Sequence, residues 1–210
     1  AQTTALLTVM IAAVRKAGRA LARDFGEVEN LQVSRKGPGD FVTNADQRSE
    51  KILFEELSKA RPGYGFLLEE RGEIPGTDKT NRFIIDPLDG TSNFMHGLPH
   101  FAISVGLERD KELVAGVVYD VIKDELFWAE KGQGAFLNDK RLRVAARTHL
   151  QDGLLVTGRF GDLPALERVL AVTPLVRRYG AAALDLAYVA AGRFDGFWER
   201  DLKPWDIAAG

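Results

Sequence analysis

The sequence predicts a layered α+β fold with mostly antiparallel sheet between helices. Two amphipathic helical patterns open the chain, a succession of short apolar runs broken by turn residues fills its middle, and a small-residue helix lies between apolar strands near its end. The chain has 210 residues, 45% of them hydrophobic, enough to bury a full core and to exclude wholesale disorder.

In the first helix, Leu6, Met10, Val14, Leu21 and Phe25 recur at helical spacing, with Arg15, Lys16, Arg19 and Arg23 between them. The Gly and Pro residues of Ser34–Asp40 mark a loop. Thr43 or Asn44 is then expected to cap a second helix running to about Ser58, with Ile52, Leu53 and Leu57 as its buried face. Tyr64–Leu68 and Arg82–Ile85 read as buried strands ending in acidic residues, Glu69-Glu70 and Asp86. Phe101–Leu107, Leu113–Tyr119, Glu125–Ala129 and a hairpin around Asn138-Asp139 suit an antiparallel meander. Leu154–Thr157 is a further strand, Ala181–Ala191 a helix closed by Gly192, and Phe194–Trp198 a strand ending in Glu199. We expect an N-terminal lobe over 1–145 and a C-terminal lobe over 146–210.

Composition excludes several functions. Lys+Arg 28 against Asp+Glu 30 leaves a formal net charge of -2, unsuited to direct binding along a nucleic acid. Cys 0 removes disulfides, thiolate metal sites and a cysteine nucleophile. With His 3 and 30 carboxylates, any metal is expected to be oxygen-ligated, with Mg²⁺ first in line. Ala5–Val14 is too short to span a bilayer and lacks the basic residues that precede a signal core, so no membrane association and a cytoplasmic location are expected.

The chemistry concentrates in Asp86-Pro87-Leu88-Asp89-Gly90-Thr91-Ser92-Asn93-Phe94. A strand feeds Asp86, proline fixes the turn, Asp89 can point back into the same space, and the N–H groups after Gly90 can face a phosphate. Glu69, at the end of a separate strand, can reach the same point. Each residue also has a plain structural reading: Asp86 and Asp89 can accept turn hydrogen bonds, and Glu69 can be a solvated strand end. Asp206 can cap a helix, and Asp46 can sit in a first helical turn against the dipole. Spacing alone leaves both readings open.

Gly39-Asp40-Phe41-Val42-Thr43-Asn44-Ala45-Asp46, Glu69-Glu70, the Asp86–Phe94 stretch and Trp205-Asp206-Ile207-Ala208-Ala209-Gly210 resemble, in this order, the signatures of the inositol monophosphatase family. Ala182–Arg193 with Phe194-Asp195-Gly196 is most similar to its bacterial inositol-1-monophosphatase branch. The resemblance implies the layered αβαβα sugar-phosphatase fold, shared with fructose-1,6-bisphosphatase, and Mg²⁺-dependent hydrolysis of myo-inositol monophosphate by metal-activated water. It implies that Glu69, Asp86, Asp89, Asp206 and the Leu88 carbonyl hold two ions bridged by Asp86. Asp46 and Thr91 would orient the water and, with Glu69, support a third ion. Gly90 and Thr91 would bind phosphate, with Asp89 facing the neighbouring hydroxyl. Glu199 would accept polyol hydroxyls, Gly180, Ala181 and Ala182 would wall the sugar pocket, and Arg177 would approach substrate. Lys36 precedes this machinery as a surface lysine.

Relatives on this scaffold act on fructose 1,6-bisphosphate, histidinol phosphate or nucleotide 3′-phosphates, which stand as alternative substrates. The resemblance also implies a homodimer and, in some bacterial members, association with RNA polymerase. It further implies elements after Gly210 and a longer stretch between Gly158 and Arg178, so a longer natural chain is expected. Leu68 and Arg71 depart from the small or polar residues usual beside Glu69-Glu70, which bears on the third ion. The three tryptophans are expected in packing roles, and His96 and His100 in a loop.

Overall fold

A computed structural model describes residues 3–32, 39–158 and 163–210. Helix α1 (Ala5–Gln32) forms because Leu7, Met10, Val14, Ala17 and Leu21 fall every three to four positions, with Val28 seven further on, and all are buried. Leu6 and Phe25 flank this stripe and pack against it half-buried. Asp24 interrupts the stripe, and Arg48 of the second helix pairs with it.

Helix α2 (Gly39–Ala60) begins a turn before the expected cap, so Thr43 and Asn44 lie inside it. Val42 and Ala45 are buried one turn upstream of Ser49, Leu53 and Leu57, and burying them extends the helix toward its N-terminus. Ile52, expected in the buried face, is half-buried. The loop expected before α2, including Lys36, lies outside the described residues up to position 38.

Next come β1 (Gly65–Leu68), β2 (Gly72–Ile74), β3 (Asn81–Asp89), the single-turn helix α3 (Thr91–Met95), β4 (Ala102–Arg109), β5 (Glu112–Asp120), β6 (Glu125–Glu130), β7 (Gly134–Leu137) and β8 (Lys140–Arg141). They form one sheet in the order β2-β1-β3-β4-β5-β6-β7-β8, antiparallel except for β1 beside β3. Its two faces are buried differently. Ile103, Val105, Val117 and Trp128 point into a core shared with α1 and α2, whereas Ala102, Val118 and Phe127 point into a second core. That period of two explains why β4 and β5 read as nearly continuous apolar runs.

The rest of the chain builds β9 (Leu155–Thr157), α4 (Leu163–Leu170), β10 (Val176–Arg177), α5 (Ala182–Ala190), β11 (Gly196–Trp198) and α6 (Pro204–Ile207). Strands β10-β9-β11 make a small parallel sheet, because helical segments between them carry the chain back to start each strand from the same end. Strand β2, helix α4 and strand β10 have no counterpart in the sequence reading. Among the described residues no helix is long and apolar enough to cross a membrane.

Helix α6 and the residues after it lie on the second face of the large sheet, where Gly106 and Gly116 face each other across β4 and β5. A Cβ at Gly116 would stand 2.8 Å from the Ala209 carbonyl oxygen, and one at Gly106 2.9 Å from the Ala208 Cβ. Only side-chain-free positions let this segment approach so closely. Gly116→Val is therefore expected to cost about 1–3 kcal/mol and lower the thermal unfolding midpoint by several degrees, as read by calorimetry.

Candidate active site

Strand β3 carries the first two acids. Its register against β4 slips between Asp86 and Asp89, where Pro87 brings no N–H to the ladder. Asp86 Oδ1 accepts the Leu88 N–H (3.0 Å), and Ser49 Oγ from α2 donates to the Pro87 carbonyl (2.8 Å). Gly90 turns the chain at φ 93°, in space where a Cβ would stand 3.0 Å from the His100 carbonyl oxygen. Fully buried Phe94, wedged against Phe25 and Phe101, anchors α3 behind this turn.

Three further elements bring acids to the same place. Because β1 runs parallel to β3 with Leu68 opposite Ile85, Glu69 emerges beside Asp86, and the two carboxyls share a hydrogen bond. Asp46 comes from α2, and Asp206 from α6, where its Oδ2 accepts the Lys203 N–H (2.6 Å). Asp89 Oδ2 accepts the Ala183 N–H at the start of α5 (2.7 Å), and the Ala182 N–H also bonds it.

The charges acting most strongly on this group are other carboxylates. Burial, followed by Glu69, Glu70 and Glu50, pushes Asp46 up to about 8. Burial raises Asp89 to about 7 despite the two N–H bonds that oppose the rise. Asp86 is held well above the ordinary carboxylate range by burial and by Asp89 and Glu69, and Glu69 is raised chiefly by burial.

The acids open onto a cleft of about 620 Å³ lined by Glu69, Asp89, Asp206, Glu199, Asn93, Arg178 and Trp205 among others. Glu199, leaving β11, lies against Gly158, and a Cβ there would fall on its carboxylate.

Residues 2–210 match the inositol monophosphatase family. The chain belongs to this family. It is 60% identical to an inositol-1-monophosphatase of Mesorhizobium japonicum over 99% of its own length and 81% of that protein. It is 42% identical to the Nus factor SuhB of Escherichia coli, over 98% of its length and 80% of that protein. Its fold superposes on the crystal structure of extragenic suppressor protein suhB from Bartonella henselae with a TM-score of 0.91 at 54% identity, covering 98% of this chain and 82% of that one. Membership places the chain among phosphatases.

The structure brings Glu69, Asp86, Asp89, Asp206, Gly90, Thr91, Ala182 and Glu199 to one region. Two expectations change. Asp46 is not in the first turn of its helix, which starts at Gly39, so the dipole does not explain it; it is buried, and its Oδ1 has no hydrogen-bond partner. Thr91 Oγ1 donates to the Leu88 carbonyl (3.0 Å). Arg177 is exposed, with Nη1 on the neighbouring Val176 carbonyl, whereas Arg178 lines the cleft with Nε on the Gly158 carbonyl (2.5 Å). Consecutive residues leaving a strand point to opposite sides, so only one of the two arginines can face the cleft.

The donor set fits hard divalent cations. Buried carboxylates with raised affinities for protons, an orphaned Asp46 oxygen and carbonyl oxygens at the β3 bulge are the ligands such ions take. Among the described residues no three acids form a ready-made shell. Glu69 and Asp86 instead stand side by side, and their closeness and burial raise the affinity of both for a proton.

Arg71, which departs from the family pattern, pairs with buried Glu50 (2.7 Å) and stacks on Phe54. Glu50 also accepts the Glu70 N–H (2.8 Å). The Glu69-Glu70 turn is thus tied to α2. Leu68 fills the core. Trp128 stacks on Phe136 as a core aromatic, while Trp205 is at the cleft. His96 Nδ1 bonds the Ser92 carbonyl in its loop, and burial pushes His100 down to about 4.

Asp185 was assigned no role from the sequence, although an acid within Ala182-Ala183-Leu184-Asp185-Leu186-Ala187 was itself a signal. It is fully buried on α5 with both oxygens unpartnered, and burial, then Asp89 and Glu199, push it up to about 8. Its native affinity for a proton exceeds that of the unfolded chain, so its contribution to stability is present at low pH and lost as pH rises toward about 8. In metal-free protein, Asp185→Asn is expected to raise stability at pH 8 by on the order of a few kcal/mol, a gain that shrinks toward pH 4 in urea unfolding series.

Proposed function

We propose that this phosphatase hydrolyses myo-inositol monophosphate in a Mg²⁺-dependent reaction. The observation that carries the reading is the convergence of buried carboxylates whose strongest electrostatic neighbours are other carboxylates, next to the left-handed turn at Gly90. Glu69, Asp86, Asp89, Asp206 and the Leu88 carbonyl would hold two Mg²⁺ ions, with Asp46 and Thr91 beside a third. When bound, Mg²⁺ supplies an acidified water and charge stabilisation for the leaving oxygen.

The chain's own residues do the rest. Asp46 Oδ1, buried and without a partner, is an acceptor for a proton of the attacking water. Thr91 Oγ1 gives its proton to the Leu88 carbonyl, which leaves its lone pairs to accept the other. The Gly90 and Thr91 N–H groups receive phosphate oxygens at the turn that the positive φ of Gly90 creates. Asp89, held by the α5 N–H groups, keeps a fixed edge toward the substrate hydroxyl. Glu199 accepts hydroxyls of a neutral polyol and repels a second phosphate, which ranks fructose 1,6-bisphosphate and nucleotide phosphates below inositol phosphate.

The identity to a relative named Nus factor SuhB favours a second reading of this chain, as a regulatory partner of the transcription machinery as well. Retention of RNA polymerase core on the immobilised protein would support it, and no retention would remove it.

Phosphate release from inositol-1-phosphate is expected to require Mg²⁺ and to fall about 10³-fold or more in Asp89→Asn. Mg²⁺ should raise the unfolding midpoint of the wild type and not of that variant. Glu199→Gln should narrow the preference for inositol-1-phosphate over fructose 1,6-bisphosphate. Turnover indifferent to Mg²⁺, or to Asp89→Asn, overturns the reading.

A further inference from the structure

Asn93 lies two residues beyond Thr91 and lines the cleft, yet no step above uses it. Its Nδ2 donates to the His100 carbonyl (2.8 Å) and to the Tyr179 carbonyl (2.7 Å), and the Gly180 carbonyl lies at 3.5 Å. All three partners are acceptors, so only the NH₂ side of the amide can face them, and its two hydrogens are both engaged. The His100 carbonyl belongs to the loop that packs on Gly90, and Tyr179 and Gly180 belong to the loop between β10 and α5. This one side chain therefore joins segments 86 residues apart in sequence.

The second loop leads directly into the wall of the cleft. Gly180, at φ 79°, turns the chain into Ala181–Ala183, where the Ala182 and Ala183 N–H groups hold Asp89. The phosphate turn stands on one side of the Asn93 amide and this wall on the other. Tyr179 stacks on Phe194 and lies against His100, so its ring is fixed, but hydrophobic contact alone leaves the height of its carbonyl free.

We propose that Asn93 is a positioning residue that sets the width of the cleft, clamping the 179–183 wall to the phosphate turn so that the alcohol half of a phosphomonoester is held between Thr91 and Ala182. The proposal rests on the phosphatase reading for its kinetic consequence and on hydrogen bonding alone for its structural one. Without the amide, two carbonyls lose their donor, and the N–H bonds from Ala182 and Ala183 to Asp89 are left to hold the wall to the turn, so its 179–180 end loosens. A small ester that needs only the phosphate turn feels this less than a polyol phosphate that must touch both sides.

The test compares wild type, Asn93→Ala and the isosteric Asn93→Asp in two ways. Amide hydrogen exchange on the metal-free protein reads the wall without any turnover: exchange at 180–183 is expected to rise about tenfold in both variants at pH 8, while the core strands β4 and β5 keep their protection. With Mg²⁺, KM for inositol-1-phosphate should rise at least about fivefold more than KM for p-nitrophenyl phosphate in both variants. Unchanged exchange at 180–183, or equal loss on the two esters, overturns the clamp. A wild type that turns over neither ester would instead overturn the phosphatase reading, with the exchange result still deciding the clamp.

Discussion

Burying several carboxylates within one another's fields is costly, and much of the surrounding structure is arranged around that cost. The five acids come from four elements: Asp46 from α2, Glu69 from the end of β1, Asp86 and Asp89 from the bulged end of β3, and Asp206 from α6. A single helix or strand could not crowd them this way, because side chains on one face stand at least a turn or two residues apart. Crowding them across elements requires that each element be held from behind. Ser49 grips the Pro87 carbonyl, Glu50 and Arg71 tie the Glu69 turn to α2, the α5 N–H groups hold Asp89, and facing glycines on β4 and β5 admit the backbone that carries Asp206.

These supports share a logic. Groups behind the acids are mostly backbone donors and packed aromatics, and compensating cations are kept out of their strongest contacts. Raised proton affinities at Asp46, Glu69, Asp86 and Asp89 follow. A site that satisfied its own charges would have little reason to take up divalent cations. The fully buried Asp185 extends the same pattern one layer deeper, beneath Asp89 and Glu199.

Most of the fold was legible in the sequence, because period and punctuation are local. The stripe of α1, the meander from β4 to β8 and the closing Gly192 of α5 needed no tertiary information. The start of α2 was misplaced because Thr43 and Asn44 look like caps, while the contacts that bury Val42 and Ala45 come from elsewhere in the chain. Strands β2 and β10 are too short to show a period, and α4 is a short helix that buries none of its residues fully, so neither signal rose above that of a loop.

The sequence by itself determined which residue types were available: oxygen ligands without thiolates, a proline-broken strand end, a glycine turn, and motifs in an order that marks the family. Tertiary structure decided which of them meet. That Arg178 and not Arg177 faces the cleft depends on how β10 pairs with β9, and a one-residue change of facing cannot be read from two adjacent arginines. That Asn93 bridges to Tyr179 depends on two loops closing over a separation no local pattern records. Residue chemistry is a property of each position, whereas proximity belongs to the folded chain. The site therefore became legible only where a motif already encoded its own turn.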